Sequence, residues 1–460
     1  KKTMSDEVLS EKLARYFSSL QFDQIPADVV DATKLHILDS LGCLLAGSRL
    51  EAGRLAYELA VATSGANGTS TLLGSDRRVS FLDAVQAMSV ASHCGEMDDI
   101  HGGAGTCIGA MIVPALSAMG EKHGRSGRKF LEATVVGYET IIRIGLAIDA
   151  PKLFAHGWWP STICGAFGVV AAGTKFLDLS FEQTVNALGI ASLHSGGMIT
   201  GGNEGATARH LAFGRAAQNG MLALLAAEQG FTGPKRALED PRGFCLTLCN
   251  EPNWDYLQSF DSFLLPEVAF KPYPCARQLH AGVEALLKIL RRTSLTPSAI
   301  EEIELLLPAQ NAAMMNRPSI TATHAATVGS GQYVMAVTAL RGKIDLLSFG
   351  EEHLSSAKVR TLMAKVKVSA STDLDRHYPK YWSGRVAVRL LDGQSYSEEV
   401  IIPKGESGNP MTQSEVEEKF LSLAGPALGD QKARSAIDRV SSLESLNSLR
   451  PLLTELKLSG

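Results

Sequence analysis

Apolar residues recur every three or four positions through most of the first 250 residues, a spacing that predicts helices with one buried face. Residues 25–47 show this stripe, which ends at Gly47, a residue type that commonly terminates helices. Another helix is predicted to begin after Ser180, because its hydroxyl and the Gln183 side chain can cap the first free amide groups. Alanine and glycine at helical spacing let helices approach closely, so this half predicts a packed helical bundle.

Between residues 271 and 400 the pattern shortens to alternating apolar and polar positions, which predicts strands. The segments AKVKVSAS and GRVAVRLLDGQSYSEEVIIP both alternate, and Asp392 with Gly393 predicts a hairpin turn within the second. After Pro403 the helical spacing returns. The predicted fold class is therefore mainly α with a smaller α+β domain.

A chain of 460 residues exceeds the usual size of a single core, so two domains are expected. The simplest division is a large all-helical domain formed by residues 1–268, a smaller α+β domain of residues 269–402, and C-terminal helices in residues 403–460 that complete the helical domain. Ligand sites favour such junctions between domains.

The amino-acid composition argues against several classes of function. The net charge of −4 gives no general attraction to nucleic acid or to an anionic membrane, and no apolar run of about 18 residues predicts a membrane span. Seven cysteines without a paired CxxC spacing predict buried thiols in a reduced, cytoplasmic protein and no metal site. The N-terminal KKTMSDEVLSEKLARYF is predicted to start an amphipathic helix rather than a signal peptide. Nucleotide-binding glycine motifs and a serine-hydrolase elbow are also absent from the sequence.

Ionisable residues concentrate in the stretch GEMDDIHGGAGTCIGAMIVPAL, where Glu96, Asp98, Asp99 and His101 fall within six residues. Two interpretations remain open. The aspartates could cap the helix that begins near Ile108, and His101 could hydrogen-bond within a glycine turn. Alternatively, the cluster forms part of a cleft wall, with glycines that let the backbone turn tightly beside a ligand.

Six segments resemble the MmgE/PrpD family, in family order and across nearly the whole chain: EMDDIH, GWWPSTICGAFGVVAAG, ARHLAFGRAAQNG, FKPYPCARQLH, GQYVMAVTAL and PKGESGNPMTQSEVEEKF. The family includes 2-methylcitrate dehydratase, cis-aconitate decarboxylase and iminodisuccinate epimerase. The resemblance implies a helical domain plus a smaller α+β domain in an enzyme that needs no cofactor and is usually a homodimer. It also implies a small anionic carboxylate as substrate.

Three positions depart from the family pattern. Thr106 and Trp159 stand where members that dehydrate or decarboxylate tricarboxylates usually carry histidine, and Arg209 stands where they usually carry lysine. A guanidinium cannot lose its proton at ordinary pH, and a hydroxyl or an indole is a poor proton carrier. We therefore expect these three residues to bind substrate, together with His210 and Arg277, and we do not expect the commonest family reaction.

The remaining candidates suit chemistry at a carbon next to a carboxylate, which needs a base against the carbon and positive groups over the developing enolate. The resemblance suggests five catalytic candidates: Asp98, His101, Lys271, His280 and Tyr333. A lysine desolvated in a cleft can have a lowered pKa and act as a base. A tyrosine on the opposite face could then return a proton, which would invert the carbon centre.

The predicted function is an epimerase of a small dicarboxylate or polycarboxylate amino acid such as iminodisuccinate. Two alternatives remain: a dehydratase-like lyase on a tricarboxylate, in which His101 or His280 substitutes for the lost histidines, and a catalytically silent homologue. The catalytic interpretations expect Arg209, Lys271, His280 and Tyr333 to surround one hollow near Asp98, between the two domains.

Overall fold

Most of the described chain forms helices, as the spacing of its apolar residues predicts. A computed structural model describes residues 8–65, 68–200, 204–319 and 323–458. The first part of the chain forms α1 (Leu9–Ser19), α2 (Ala27–Gly47), α3 (Glu51–Ser64), α4 (Phe81–Cys94), α5 (Gly109–His123), α6 (Gly127–Ala147), α7 (Ala150–Ala155), α8 (Pro160–Leu177), α9 (Phe181–His194), α10 (Ala208–Glu228), α11 (Phe244–Leu248) and α12 (Asp255–Gln258). Of the N-terminal segment predicted to start a helix, residues 1–7 lie outside the described residues.

The bundle is close-packed because small residues lie where its helices cross. A Cβ atom at Gly168 of α8 would lie 3.0 Å from the carbonyl oxygen of Gly137 in α6 and 2.3 Å from Ile141. These glycines serve packing, as their helical spacing predicts. The capping box at the start of α9 is also confirmed, since the Ser180 hydroxyl accepts from the Gln183 amide and the Gln183 side chain accepts from the Ser180 amide.

The large domain is not all helical, and that part of the prediction is wrong. Strands β1 (Ser70–Thr71) and β2 (Arg78–Val79) form a two-stranded antiparallel ladder joined through Gly74, whose φ is +76°. Strands of two residues are too short to show an alternating pattern, so they could not be predicted from the sequence.

The middle of the chain forms the smaller α+β domain. Its elements are α13 (His280–Thr293), β3 (Ile300–Leu307), α14 (Ala309–Met315), α15 (His324–Thr327), α16 (Gly331–Arg341), α17 (Glu351–Leu354), α18 (Ala357–Met363), β4 (Val366–Ala370), α19 (Thr372–Asp375), β5 (Gly384–Leu390) and β6 (Ser395–Val400). The strand order is β4-β3-β5-β6, with β3 and β4 parallel and the other neighbours antiparallel. The predicted hairpin joins β5 to β6 through Gly393, whose φ is +86°.

Helices return at the C-terminus as α20 (Gln413–Leu428), α21 (Asp430–Ser441) and α22 (Arg450–Glu455). Phe420 and Ala436 are fully buried in the same apolar core as α2 to α10, whereas β3, β5, α13 and α16 share a second core. The fold class is thus mainly α with a smaller α+β domain, as predicted. Within the described residues, none of the helices combines the length and the apolar character that crossing a membrane requires.

Candidate active site

A cavity of about 90 Å³ lies where the two cores meet. It is large enough for several waters or for part of a small ligand. The helical domain contributes His93, Glu96, Cys107, Trp159 and Arg209 to its wall, and the α+β side contributes Arg277, Met314 and Arg317. Lys271, in the segment that connects the domains, completes the wall. Positive side chains therefore line the cavity from both domains.

His93 and Asp98 form a hydrogen-bonded pair at the end of α4. Nδ1 of His93 lies 2.8 Å from Oδ2 of Asp98, and both side chains are buried. An ionised carboxylate only accepts, so this bond places the proton on Nδ1 and leaves the lone pair on Nε2. The ring stacks on Phe213 at a centroid distance of 4.0 Å, which fixes its plane. Within the described chain Nε2 is buried without a hydrogen-bond partner, and Oε1 of Glu96 lies 3.9 Å from it.

Lys271 lies at the centre of the acidic residues. Its Nζ is 3.3 Å from Oδ1 of Asp98 and 3.6 Å from Oε2 of Glu96, and the thiol sulfur of Cys107 is 3.7 Å away. Burial alone would lower the pKa of this lysine, but Asp98, Cys107 and Glu96 outweigh burial and raise the pKa above its ordinary value. The expectation of a lowered pKa is therefore wrong: Lys271 is an ammonium ion in this arrangement, suited to hold a carboxylate rather than to act as a base.

Arg209, at the start of α10, pairs with the carboxylate of Glu96. Its guanidinium also lies over the Trp159 ring, 5.3 Å from the centroid, so the predicted substrate-binding pair Trp159 and Arg209 is brought together. Glu96 is buried, which by itself raises its pKa, but Arg209, Lys271 and His93 bring that pKa well below its ordinary value. Glu96 is thus a carboxylate inside a cationic wall.

The lowered pKa of Glu96 predicts an acid-sensitive fold. A group whose pKa is depressed on folding stabilises the protein above its unfolded pKa and loses that contribution as the pH falls through the folded value. We expect the free energy of unfolding to drop below about pH 4.5, and Glu96→Gln to flatten this dependence. Denaturant titrations at several pH values between 6 and 3 measure how the free energy of unfolding depends on pH in the wild type and in the variant. An equal pH dependence in both proteins would show that Glu96 does not cause the acid sensitivity.

Asp99 follows the capping interpretation that the sequence left open, whereas Asp98 does not. Oδ1 of Asp99 accepts from the amide of Gly109 at 2.8 Å, at the first turn of α5. Its Oδ2 accepts from the Tyr138 hydroxyl at 2.6 Å and lies 2.9 Å from Nδ1 of His36. Burial raises the pKa of Asp99, but these hydrogen bonds lower it overall. Asp99 therefore fixes the start of α5 behind the cavity.

His101 and Thr106 belong to the turn beside the cavity rather than to its wall. Nδ1 of His101 accepts from the amide of Ala104 at 3.0 Å, and its Nε2 is 3.7 Å from a carboxylate oxygen of Glu267. The backbones of His101 and Thr106 pair as a bridge, with the His101 amide 2.9 Å from the Thr106 carbonyl. For His101 the structure shows the first of the two interpretations, a hydrogen bond within a glycine turn.

His280 and His210 are buried next to the cavity without lining it. Nδ1 of His280 accepts from Nη1 of Arg277 at 3.0 Å, and its Nε2 donates to the Cys275 carbonyl at 3.2 Å, so both ring nitrogens are occupied. Burial and the charge of Arg277 lower its pKa, which keeps the ring neutral. The His210 ring lies 5.5 Å from that of His93, and burial with Arg209 lowers its pKa likewise. His280 thereby orients Arg277, which also pairs with Glu406 at 2.7 Å.

Tyr333 is not brought to the cavity. Its ring packs in the core of the α+β domain, and its hydroxyl donates to the Ser348 carbonyl at 2.7 Å. Burial raises its pKa. The hollow expected around four residues therefore contains Arg209 and Lys271, with His280 behind its wall and Tyr333 elsewhere.

Tyr333→Phe is expected to keep full activity. The substitution removes one buried hydrogen bond to a carbonyl, which costs about 1 kcal/mol of unfolding free energy. Thermal unfolding and steady-state kinetics on the same preparation test this expectation. A large loss of turnover without a loss of stability would return Tyr333 to the mechanism.

Sequence reasoning did not assign His93 or Arg317 to the site, and it considered Glu96 only as a member of the acidic cluster. His93 and Glu96 are three residues apart around the end of α4, and their proximity to Asp98 in SHCGEMDD was the available signal. Arg317 follows α14, and its side chain donates from Nε to the Met314 carbonyl at 2.9 Å. No spacing in the sequence links it to Arg209, whose charge lowers the pKa of Arg317 in addition to burial.

Three groups in this region could in principle hold a metal ion. The ligand atoms of His93, Asp98 and Cys107 lie within 4.8 Å of one another. The ammonium of Lys271 contacts both Asp98 and Cys107, however, so a cation at this place would meet a fixed positive charge. The donor set as arranged does not fit a metal.

Nearly the whole chain matches two known family domains. Residues 11–257 match the MmgE/PrpD N-terminal domain, and residues 273–444 match the MmgE/PrpD C-terminal domain. The chain belongs to the MmgE/PrpD family. The cavity lies between these two matched domains, and its wall contains residues from four of the six segments that carried the resemblance.

MmgE/PrpD relatives with assigned activities align along almost their full length. A cis-aconitate decarboxylase-like protein of Aspergillus oryzae is 28% identical over 97% of this chain and 96% of its own. A cis-aconitate decarboxylase of Aspergillus terreus is 27% identical over 97% and 95%, and that of Homo sapiens is 30% identical over 98% and 94%. These names favour the lyase alternative over the epimerase.

Proposed function

We propose that this protein is a cofactor-independent lyase that acts on a small polycarboxylate, with cis-aconitate as the first candidate substrate. The observation that carries the proposal is the juxtaposition of one proton-exchanging pair, His93 with Asp98, and cationic side chains from both domains around a single cavity. The assignment of its relatives as cis-aconitate decarboxylases supports the same reaction class.

The arrangement of proton carriers supports a lyase better than an epimerase. Inversion requires a base on one face of the carbon and an acid on the other. His93 and Lys271 both contact Asp98, so they lie on one side of the cavity. Tyr333, the expected carrier for the opposite face, bonds within the α+β core. A decarboxylation needs only one proton delivered to carbon, which a single group on one face can supply.

Lys271, Arg277 and Arg317 would hold the substrate carboxylates, because ammonium and guanidinium groups bind carboxylates through charge-assisted hydrogen bonds. In a decarboxylation the carbon–carbon bond breaks, carbon dioxide leaves, and the electron pair enters an enolate that these cations stabilise. Protonated His93 would then deliver its Nε2 proton to the carbon and recover a proton from water. Asp98 would hold the imidazolium in place throughout.

The three positions that depart from the family pattern are Thr106, Trp159 and Arg209, whose side chains are poorly suited to proton transfer. Arg209 is a fixed cation paired with Glu96 and stacked over Trp159, which suits a binding wall rather than proton transfer. Thr106 has no side-chain partner within the described residues and lies behind the wall. We therefore propose that His93 carries the proton that other members pass through histidines at these positions.

Incubation in heavy water distinguishes the reaction classes. Cis-aconitate, 2-methylcitrate and iminodisuccinate are each followed by proton NMR with the wild-type protein. Release of carbon dioxide, or a product with a changed double bond, is the expected result for a lyase. Deuterium at the α-carbon without such a product would overturn the proposal in favour of an epimerase, and no change in any acid would favour a silent homologue.

A further inference from the structure

The loop between α4 and α5 carries both site carboxylates on a strained backbone. Glu96 has a φ of +53°, a left-handed conformation that is unfavourable for a residue with a side chain. Such conformations persist only where surrounding contacts determine them, and they concentrate at functional sites. The contacts that hold this loop therefore decide where Glu96 and Asp98 lie.

Lys419 of α20 reaches this loop from the C-terminal part of the chain. Its Nζ donates a 2.7 Å hydrogen bond to the carbonyl of Met97, the residue between Glu96 and Asp98. The same atom lies 2.5 Å from Oδ1 of Asp39 in α2, and both side chains are buried. Burial by itself would lower the pKa of Lys419, but Asp39 and Cys43 raise it, so the donor stays charged.

The side chain of Met97 is held by the same two helices. Met97 packs in a small apolar cluster with Cys43 of α2 and Leu423 of α20. The helices approach closely because Gly42 has no side chain: a Cβ atom there would lie 3.1 Å from the Phe420 ring. The backbone and the side chain of Met97 are thus both fixed by α20, which contributes no residue to the cavity wall.

We propose that Lys419 is a positioning residue for the active site, with Asp39 as its buried counter-ion. By holding the Met97 carbonyl, it sets Glu96 against Arg209 and Asp98 against His93 and Lys271. The C-terminal segment therefore completes the geometry of a site formed by residues more than 100 positions earlier and by the inserted domain. This inference rests on the proposed function only in treating the His93–Asp98 cavity as catalytic.

The test removes the donor without leaving a buried charge. In the double variant Asp39→Asn/Lys419→Met, both members of the pair become neutral, which buried ion pairs often tolerate. The matched control is Glu132→Gln/Lys175→Met. Lys175 is likewise buried, donates to the Leu20 carbonyl and lies 3.5 Å from Glu132, away from the cavity.

Two readouts are taken on the full chain: amide hydrogen exchange of the peptide 94–101, and kcat and KM with the acid that the wild type converts. In the Lys419 variant we expect exchange of this peptide to accelerate about tenfold or more, since the loop loses its anchor. We expect kcat to fall about a hundredfold while KM changes by less than about threefold, because displaced catalytic groups affect the reacting geometry most. The control should leave both readouts near wild-type values.

Unchanged exchange in the Lys419 variant would overturn the proposal, whatever its activity. Equal acceleration in the control would overturn it too, since general destabilisation would then explain the effect. Faster exchange only in the Lys419 variant, with a wild type that converts none of the acids, would support the positioning role and reject the proposed lyase function.

Discussion

His93→Asn is expected to lower kcat about a thousandfold without unfolding the protein. General acid–base catalysis by a positioned side chain contributes typically 10²–10⁴-fold, and His93 is the residue on the cavity wall whose imidazole is held by a carboxylate at 2.8 Å. Asparagine can keep a hydrogen bond to Asp98 through its amide, so the loop geometry should persist. Steady-state kinetics and thermal unfolding on the same sample measure the two effects separately.

The control is His123→Asn, at the exposed end of α5 and remote from the cavity, which should leave kcat unchanged. A variant that retains more than about a tenth of wild-type kcat would exclude His93 as the proton carrier.

The fold could be predicted largely from local patterns. The α9 capping box, the hairpin at Gly393 and the helical stripe of α2 each depend on residues close together in sequence, and such signals are encoded locally. The ladder of β1 and β2 could not be predicted, because each strand has only two residues. Helices and strands could therefore be predicted wherever they were long enough to show the characteristic spacing of their apolar residues.

Only part of the candidate site could be predicted from the sequence. Asp98, Lys271, Arg209 and Trp159 were selected from family segments, and the structure brings them together. His93 was missed because α4 is apolar and buried along most of its length, so a histidine near its end resembled a core residue. Spacing along α16 could not show that Tyr333 faces the α+β core, since this depends on how that helix packs on the sheet.

The error about Lys271 has an electrostatic cause. A buried lysine was expected to have a lowered pKa, which holds where desolvation dominates. Two carboxylates within 4 Å reverse the direction, and they come from a loop more than 170 positions away. The epimerase interpretation depended on that base and on Tyr333, so both of its proton carriers were lost for reasons of tertiary packing.

Lys271→Met is expected to destabilise the protein by about 3–5 kcal/mol at pH 7 and to abolish activity. Removing one partner of a buried ion pair leaves an uncompensated charge, which is the costly case. Asp98 would keep only its bond to His93, and Glu96 would keep only Arg209. Denaturant unfolding measures the stability, and Lys288→Met is the control. Lys288 pairs with Glu284 at 3.1 Å on the surface, so its loss should cost less than about 0.5 kcal/mol.

The origin of this loss can be tested by pH and by a second substitution. Lys271 is one of the cations that lower the pKa of Glu96, so in Lys271→Met this lowering is smaller. The variant should therefore lose less stability than the wild type as the pH falls from 7 towards 4. Lys271→Met/Asp98→Asn should recover part of the stability at pH 7 but none of the activity. Both the cation over the substrate and the negative charge that would stabilise a His93 imidazolium are then missing. If the double variant were no more stable than the single one, the buried charge on Asp98 would not be what Lys271 compensates, and the lysine would act on stability through packing of its aliphatic stem.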